Sequence, residues 1–432
     1  MNFRVIGVLH VCCVAIASMN GASASAQTVT ASSSIGTAFD RNRTVAVGDR
    51  VQPGYEPLGI QAGSFTIQPK LAARLLLSDN ILADAVAPKA DAVAELSPSF
   101  LASSNWSRHA ISLAGSVTAA RHARITQENS QSFNVQAQGR FDAGGNLSIQ
   151  GFGGYLRQIQ NRFDPGALRG TASPVSFDLS SAGVGVTWQP NRTRFSAEAR
   201  TAKIAYADVA LANGLTVQSL GLDRRQNQYQ LRGEYAVTAD LAVLVQARLT
   251  DLRYVSPVAG SGLDRSSRKA EFLAGINFEF TDFLRGEFAV GYVGQNYRSP
   301  AFTDFGGFGG RVRLQYFPSG LTTVRLDASR TVEEAGNPAS PSYVRSVVGL
   351  HVDHELYRNL VISAGAEYSR NRFDQPVRTD RRTDLSLGAV YRCNRHLSVV
   401  SGFRRLHIAV SDVATRRALT IDSITAGLSF EP

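Results

Sequence analysis

Polar and apolar residues alternate along most of the chain, and the segment Gly63–Leu77 shows the pattern first. Apolar residues such as Phe65 and Leu71 occupy its odd positions, and polar residues such as Gln68 and Lys70 occupy its even ones. Successive side chains of a β-strand point to opposite faces, so this alternation predicts a two-faced strand. A strand of this length is about twice as long as a typical strand in a globular protein. It is long enough to cross a bilayer at a tilt. We interpret it as the first transmembrane strand of a barrel.

The same alternation recurs to the end of the sequence and predicts eighteen strands in total. An even number of antiparallel strands closes a barrel with both termini on one side of the membrane. The expected fold class is therefore all-β: one transmembrane, antiparallel, up-and-down β-barrel of about 18 strands, spanning residues 63–432. After the first strand, the others are predicted near 92–102, 108–121, 133–141, 146–157, 179–189, 193–204, 226–237, 240–252, 269–281, 283–297, 308–318, 321–332, 343–355, 359–370, 382–393, 396–407 and 418–430.

The connections between the predicted strands alternate in length. Those after even-numbered strands are short, such as Gln189–Arg192, and those after odd-numbered strands are longer, such as Arg157–Asp178 and Ala205–Arg225. Short periplasmic turns and long external loops are typical of outer-membrane barrels, which gives the expected orientation. Aromatic residues should form girdles at the membrane interfaces, and a set of them adjoins the short turns: Trp106, Phe141, Trp188, Phe195, Tyr235, Phe280, Phe283, Tyr316, Phe317, Tyr357 and Tyr391.

The N-terminal part of the sequence has the layout of an export signal. An early basic residue, Arg4, precedes the apolar run Val5–Ala17, and small residues end at Ala26. This layout predicts a secretory signal peptide over 1–26. Residues 27–62 lack alternation and are rich in small and polar residues, so we expect a flexible periplasmic segment there. Two of the three cysteines lie in the predicted signal peptide, which leaves Cys393 and no basis for a disulfide framework.

Beyond the signal peptide, no apolar run reaches the length of a transmembrane helix. Only helices and closed barrels satisfy every backbone polar group in hydrocarbon, so membrane residence of this chain requires the barrel. The outer membrane of a Gram-negative cell is the expected location.

Composition and charge narrow the possible partners. The 432 residues carry a formal net charge of +10 and are 44% hydrophobic, which makes disorder of most of the chain implausible. The basic residues are spread over every strand instead of clustering on one face, which argues against nucleic acid. Outer-membrane lipid, lipopolysaccharide phosphates around the loops and the outer-membrane assembly machinery are the expected partners. The last strand ends with Ile424, Ala426, Leu428 and Phe430 on one face, which is similar to the terminal strand that this machinery recognises.

The predicted inner face carries fourteen cationic and ten acidic residues. One interpretation is a wet wall of neighbouring ion pairs, and the other is a pore with a mild anion preference, because arginine rings select anions. Among the candidate pore-lining residues, Arg232, Arg311, Arg313 and Arg325 are the strongest because of their mid-strand positions. The full candidate set is Arg200, Arg232, Arg248, Arg311, Arg313, Arg325, Arg345 and Arg392.

A resemblance adds to this interpretation. The segment Gly54–Ile60, the following Gly63-Ser64-Phe65 with Pro69, the run Ser78-Asp79-Asn80-Ile81 and the pieces Leu96-Ser97-Pro98 and Trp106-Ser107-Arg108-His109 resemble the opening of a family of β-barrel porins from Gram-negative outer membranes. The likeness covers about Tyr55–Arg140. It implies a porin-like function, an association with exopolysaccharide export, and no catalytic residues.

Other chemistry has little support in the sequence. His351 and Asp353 fall on one strand face and His354 on the other, so these residues do not converge as metal ligands. His407 is the one histidine near a predicted upper strand end, too little for a catalytic triad. We expect no enzyme activity, no cofactor and no metal. The leading hypothesis is a passive channel or export-associated pore for small anionic solutes or polysaccharide. The alternatives are a non-conducting accessory barrel for surface polysaccharide assembly and, third, an outer-membrane enzyme.

Overall fold

The structure is a computed structural model that describes most of the chain after residue 43. The predicted signal peptide and residues 27–43 lie outside the described residues. The described ranges are 44–165, 167, 170–211, 216–217, 219–257, 262–336, 340–375, 377–411 and 418–432.

Eighteen long strands form the body of the molecule, as the alternation predicts. Each pairs with its sequence neighbours in antiparallel fashion. We number them β1 to β18: Phe65–Ser78, Asp91–Ser104, Ala110–His122, Ser130–Asp142, Leu147–Ile159, Ser176–Trp188, Thr193–Tyr206, Arg224–Ala236, Leu241–Tyr254, Ser267–Phe280, Leu284–Tyr297, Phe305–Ser319, Thr322–Glu334, Ser342–Tyr357, Leu360–Asp374, Val377–Arg392, Leu397–Val410 and Leu419–Phe430.

The sheet closes on itself because β1 pairs with β18. This pairing runs from Leu71 opposite Phe430 to Ser78 opposite Ser423. Closure removes both sheet edges, which is the condition for a sheet to reside in hydrocarbon. A short strand, Ile60–Ala62, folds back onto the start of β1, and the two-residue strands Val209–Ala210 and Thr216–Val217 pair within the β7–β8 connection.

Helical structure in the described ranges is limited to three short 3-10 turns: Val47–Asp49, Thr126–Glu128 and Ser219–Leu222. None of the described helices is long and apolar enough to cross a membrane.

The two faces of the wall differ as the alternation requires. Outward positions carry exposed apolar side chains such as Leu231 and Val245, whereas inward positions carry buried polar ones such as Gln230 and Gln246. A barrel of this size has a polar interior instead of a hydrophobic core. Buried apolar clusters occur where long connections pack against the inner wall, as around Leu222. We call the end with the short turns the turn end and the opposite end the loop end.

The aromatic girdle at the turn end follows the prediction with one exception. Trp106, Trp188 and Tyr391 are exposed on the outer face, and most of the other predicted members are exposed as well. Phe317 was predicted to belong to the girdle, but it is buried and faces inward, where the Arg285 guanidinium lies 5.2 Å from its ring. The cause is its odd position in β12, which alternation assigns to the inner face.

Asp422 is an acid on the outer face of β18, where the pattern predicts an apolar residue. The structure places Arg405 of β17 directly opposite it. The guanidinium donates two hydrogen bonds to the carboxylate, at 2.8 and 2.6 Å. A bidentate pair neutralises both charges, so the violation of the pattern is compensated across the strand pair.

The prediction of a long loop between β15 and β16 is wrong. The first predicted strand ends near residue 370 and the second begins near residue 382, yet pairing continues to Asp374 opposite Val377. Inward Asn371 and Phe373 are almost completely buried, whereas the outward Arg372 is exposed. Alternation therefore persists beyond the apolar belt, with arginine replacing aliphatic residues on the outer face, so a hydrophobicity criterion ends these strands too early.

The orientation of the barrel can be tested with its own thiol. Cys393 is exposed in the β16–β17 turn at the turn end, which the orientation places in the periplasm. A bulky, membrane-impermeant maleimide should therefore label Cys393 only after the outer membrane is permeabilised. In a Cys393→Ser background, Gly262→Cys in the β9–β10 connection should instead be labelled on intact cells. Labelling of Cys393 without permeabilisation would reverse the assignment.

Candidate functional site

The inner wall of the barrel is the candidate functional site, and the predicted arginines lie on it in two kinds of environment. Three of them, Arg232, Arg311 and Arg313, come together on β8 and β12 around one carboxylate. The others lie apart: Arg248 pairs with Glu271 and Arg345 with Glu367. The Arg200 guanidinium lies 5.8 Å from the Phe152 ring, Arg325 faces Asp353, and Arg392 lies near the turn end of β16.

Glu287 of β11 is the centre of what we call the mid-wall cluster: Arg194, Arg232, Arg311, Arg313, Glu234 and Glu287. Its carboxylate lies 2.7 Å from Arg232, 3.0 Å from Arg311 and 4.0 Å from Arg313. Arg232 also contacts Glu234, at 2.5 Å, and Arg194 approaches Glu234 to 3.9 Å. Glu287 reaches these arginines from another strand, so local alternation does not predict it as their partner.

The mid-wall cluster holds more positive than negative charge. Four arginines share two glutamates, and Asp327 of β13 lies opposite Arg313. Arg232 is almost fully buried, so loss of a glutamate partner would leave a desolvated cation at high cost. Arg311 and Arg313 are partly exposed to the lumen. The cluster is thus a structural ion network with two arginines open to the lumen.

Residues 44–52, which begin the described part of the N-terminal segment, lie inside the turn end of the barrel. The Val47 amide donates to the hydroxyl of Thr323 on β13, at 2.9 Å, and Val47 is only 1% exposed. Gln52 donates to Glu355 of β14 at 2.8 Å, and Arg50 pairs with the same carboxylate at 3.4 Å. The segment therefore lines and narrows this mouth along β13 and β14.

Two more contacts fix the same segment. Asp49 pairs with Arg325 at 3.3 Å, so this predicted pore-lining arginine is shared between Asp49 and Asp353. The Thr44 hydroxyl donates to the carbonyl of Asp282 in the β10–β11 turn. These contacts lie in the segment 27–62, for which flexibility was expected, and no local sequence signal locates them because their partners lie more than 200 residues away.

The long β5–β6 connection also enters the barrel. It is pinned near its start by Arg162, whose guanidinium pairs with Glu128 and donates to the Thr171 hydroxyl at 2.8 Å. The next residue, Phe163, lies with its ring 5.4 Å from the Arg382 guanidinium and 5.5 Å from that of Arg404. Those arginines belong to β16 and β17, so the connection reaches across the lumen.

Asp164, beside Phe163, is almost completely buried in this position. No described residue donates a well-formed hydrogen bond to its carboxylate oxygens, although the backbone amide of Asn161 lies close enough to lower its pKa. Burial raises its pKa from 3.8 to about 6, although the positive charges of Arg382, Arg345 and Arg404 act in the opposite direction. Asp384 already pairs with Arg382 and Arg404. The charges of these two arginines therefore act on both Asp384 and Asp164. The raised pKa shows that desolvation outweighs attraction here.

At the loop end, the tip of the β13–β14 hairpin leaves the wall. Pairing of β12 with β13 stops at Gly310 opposite Arg330, although β13 continues to Glu334. There the Glu334 carboxylate accepts hydrogen bonds from Tyr254 of β9 at 2.9 Å and Gln295 of β11 at 2.7 Å. These are inward-facing residues of other strands, so the tip leans over the lumen.

Arg265 of the β9–β10 connection completes this anchor. It donates to the carbonyls of Ala335 and Pro341, at 2.8 and 2.9 Å, and its guanidinium lies 4.7 Å from the Tyr254 ring. Buried charge-assisted bonds to a loop backbone hold that loop in one position. The loop end is therefore narrowed by a fixed hairpin tip.

The histidine-containing part of β14 forms ordinary strand contacts. His351 and Asp353 share the inner face, 3.0 Å apart, while His354 lies on the other face and bonds Thr322. In the described ranges, no group of three or more potential ligands could hold a metal ion.

Several lumen residues were not among the predicted ones. Arg194 and Arg382 lie on inward positions of β7 and β16 and already fall within the predicted strands, so alternation assigns them to the inner face although the candidate set omitted them. Phe163 and Asp164 lie in a connection without periodicity, so the sequence contains no signal for their position in the lumen.

Comparison with known proteins identifies a family. The profile described as "Putative beta-barrel porin 2" matches residues 52–430. No functionally curated protein matches the chain.

Solved outer-membrane barrels are similar at low identity. OccAB4 from Acinetobacter baumannii is 12% identical, with 86% of this chain and 99% of that chain covered and a TM-score of 0.47. The outer membrane protein opdK from Pseudomonas aeruginosa is 10% identical, with coverages of 85% and 98% and a TM-score of 0.44. The siderophore receptor PirA from Acinetobacter baumannii is 8% identical, with coverages of 84% and 80% and a TM-score of 0.43.

Asp164→Asn should change how stability depends on pH. Because the folded-state pKa of Asp164 is raised, its stabilising contribution is complete below pH 3.8 and is lost as the pH rises through about 6. Asparagine mimics the protonated acid, so the variant should unfold at a higher temperature than the parent at about pH 8 and at a similar temperature at about pH 4. Thermal unfolding in detergent, followed by circular dichroism, measures this difference. Asp208→Asn, at an exposed position of the next long connection, is the control. A constant difference across this pH range would contradict the buried position of Asp164.

Proposed function

This chain belongs to the family described as "Putative beta-barrel porin 2", and from that membership we propose that it is a passive outer-membrane channel for small solutes with a mild preference for anions. The closed eighteen-stranded barrel and the family place it in the outer membrane. The wall is polar inside and apolar outside, as an aqueous path through lipid requires.

The mid-wall cluster is the observation that supports the anion preference. Its four arginines share two glutamates, and Arg311 and Arg313 reach the lumen. A fixed cation beside a narrow aqueous path lowers the free energy for an anion to enter. Among the other predicted arginines, Arg248 and Arg345 each pair with one carboxylate and Arg325 pairs with two, so the preference is mild.

The narrowed mouths support the restriction to small solutes. Residues 44–52 line the turn end, the Phe163–Asp164 part of the β5–β6 connection reaches β16 and β17, and the β13–β14 tip leans over the loop end. Each obstruction is fixed by charge-assisted contacts: the first with Glu355 of β14, the second with Glu128 of the β3–β4 connection, and the third with Arg265 of the β9–β10 connection. A path past all three would admit only molecules that are much narrower than the barrel.

The same obstructions favour a second candidate function. If they close the path, the protein is a non-conducting accessory barrel that serves surface polysaccharide assembly, the association that the family resemblance implies. An export-associated pore for polysaccharide would require the hairpin tip or the N-terminal segment to move aside. An enzymatic role has no constellation of residues to support it among those described here.

Replacing Arg311 and Arg313 together with serine should shift the reversal potential in a salt gradient toward cation preference. Glu287 keeps Arg232 as a partner, so the cost in stability should be limited to about 1–3 kcal/mol. Planar-bilayer recording of the purified protein measures the shift. Screening shortens the reach of these charges to about 10 Å at 0.1 M salt, so the effect should be larger at low ionic strength.

Arg225→Ser with Arg253→Ser is the matched control. It removes the same charge from exposed, outward positions of the neighbouring strands β8 and β9. Its selectivity should equal that of the parent. Unchanged selectivity in the Arg311 and Arg313 variant, with conductance still present, would assign these arginines to wall ion pairs alone.

Removing residues 44–52 should increase single-channel conductance because the turn end loses the segment that lines it. Arg50→Ala with Gln52→Ala, which releases only the contacts with Glu355, should have a smaller effect in the same direction. Both are measured by planar-bilayer recording. No conductance in the parent together with conductance in the deletion variant would support the closed accessory barrel. A silent deletion variant that is folded would contradict the role of this segment as the obstruction.

A further inference from the structure

Four arginines lie close together on the outer face of the barrel, toward the loop end of β13, β15 and β16. We call Arg330, Arg370, Arg372 and Arg381 the outer arginine patch. Arg370, Arg372 and Arg381 are exposed, and Arg330 is half-buried. They occupy outward positions in strands whose other outward residues are largely apolar, so their charge is unexpected there.

The register shows that the patch is continuous. Arg330 lies opposite Ser346 of β14, Ser346 lies opposite Arg370, and Arg370 lies opposite Arg381. Neighbouring strands are about 4.8 Å apart, so the row from Arg330 to Arg381 extends over about 14 Å. Arg372 follows Arg370 on the same face, two residues closer to the loop end.

Little in the protein neutralises this charge. Arg372 pairs with Asp374 at 3.3 Å, and both side chains are about half exposed. Arg330 donates to the Phe308 carbonyl at 3.1 Å and the Ser346 hydroxyl at 3.0 Å, which are neutral acceptors. Arg370 and Arg381 have no hydrogen bond or ion pair with any described residue. Like-charge neighbours such as Arg370 and Arg381 repel each other, which costs stability unless an external anion joins them.

The surroundings of the patch are those of a lipid headgroup site. Exposed Tyr368 lies on the same face, two residues before Arg370. Val348 and Leu385 continue the apolar surface away from the loop end. A hollow of about 470 Å³ is lined by Arg330, Ser346, Val348, Tyr368, Arg370 and Arg372, among others. An amphipathic aromatic residue between arginines and aliphatic residues is typical of the boundary between headgroups and hydrocarbon.

We propose that the outer arginine patch binds the phosphate groups of lipid A in the outer leaflet, with the acyl chains lying along Val348 and Leu385. Arginine forms bidentate, charge-assisted hydrogen bonds with phosphate, and a row of several arginines suits a headgroup with more than one phosphate. The occupant is a membrane lipid because the patch faces away from the lumen. The proposal is independent of conduction through the barrel.

Native mass spectrometry of the purified, detergent-solubilised protein tests the proposal. The probes are bisphosphorylated lipid A, the same lipid with its phosphates removed, phosphatidylglycerol and inorganic phosphate. The parent should retain the bisphosphorylated lipid at least about tenfold better than the dephosphorylated one. Arg370→Ser with Arg381→Ser should remove most of this difference, and the corresponding lysine variant should keep part of it.

Arg358→Ser with Arg395→Ser is the matched control because it removes two exposed arginines from the turn end of the same group of strands. It should bind lipid A as the parent does. Heat-modifiable migration on unboiled gels shows whether each variant is folded, and the lipid-dependent rise in melting temperature of the parent gives a readout that needs no variant. Equal retention by the serine variant, equal binding of phosphatidylglycerol, or competition by inorganic phosphate would overturn the proposal.

Discussion

Every backbone amide and carbonyl that lies in hydrocarbon must be bonded within the protein, and this constraint determines the rest of the structure. It is met by the pairing of β1 with β18, which turns an open sheet into a barrel without edges. Closure fixes an inside and an outside, and the two-residue period of the strands then assigns each side chain to lipid or lumen. The polar interior is a consequence of closure, and the ion pairs follow because charges held on a curved wall must find partners there.

How much of the molecule can be predicted from the sequence depends on the range of the interaction. The number of strands and the outer face follow from local alternation, so the eighteen strands were predicted correctly. Glu287 pairs with Arg232 although 55 residues separate them in the chain, and no local pattern predicts such a partner. The inward positions of Phe163 and Val47 depend on residues still farther along the chain. Phe317 was wrongly assigned to the aromatic girdle because its position near a turn was given more weight than its odd, inward-facing position in β12.

Charged side chains on the inner wall of this barrel pair largely with one another. Arg232 and Glu234 are held by several partners. The electrostatic potential in the lumen is therefore the small net sum of many opposite charges. A single substitution at a buried member such as Glu287 would leave Arg232 with an unpaired buried charge, so it should reduce folding stability.

The N-terminal segment has a consequence for biogenesis. Thr44, Val47 and Arg50 precede the first strand, yet their partners on β13, β14 and the β10–β11 turn lie 238 to 305 residues later in the chain. The earliest residues of the described chain can therefore reach their final positions only after the strands on the far side of the barrel have formed. Until then, the turn-end mouth lacks the segment that narrows it. The width of this mouth therefore depends on completion of the opposite wall.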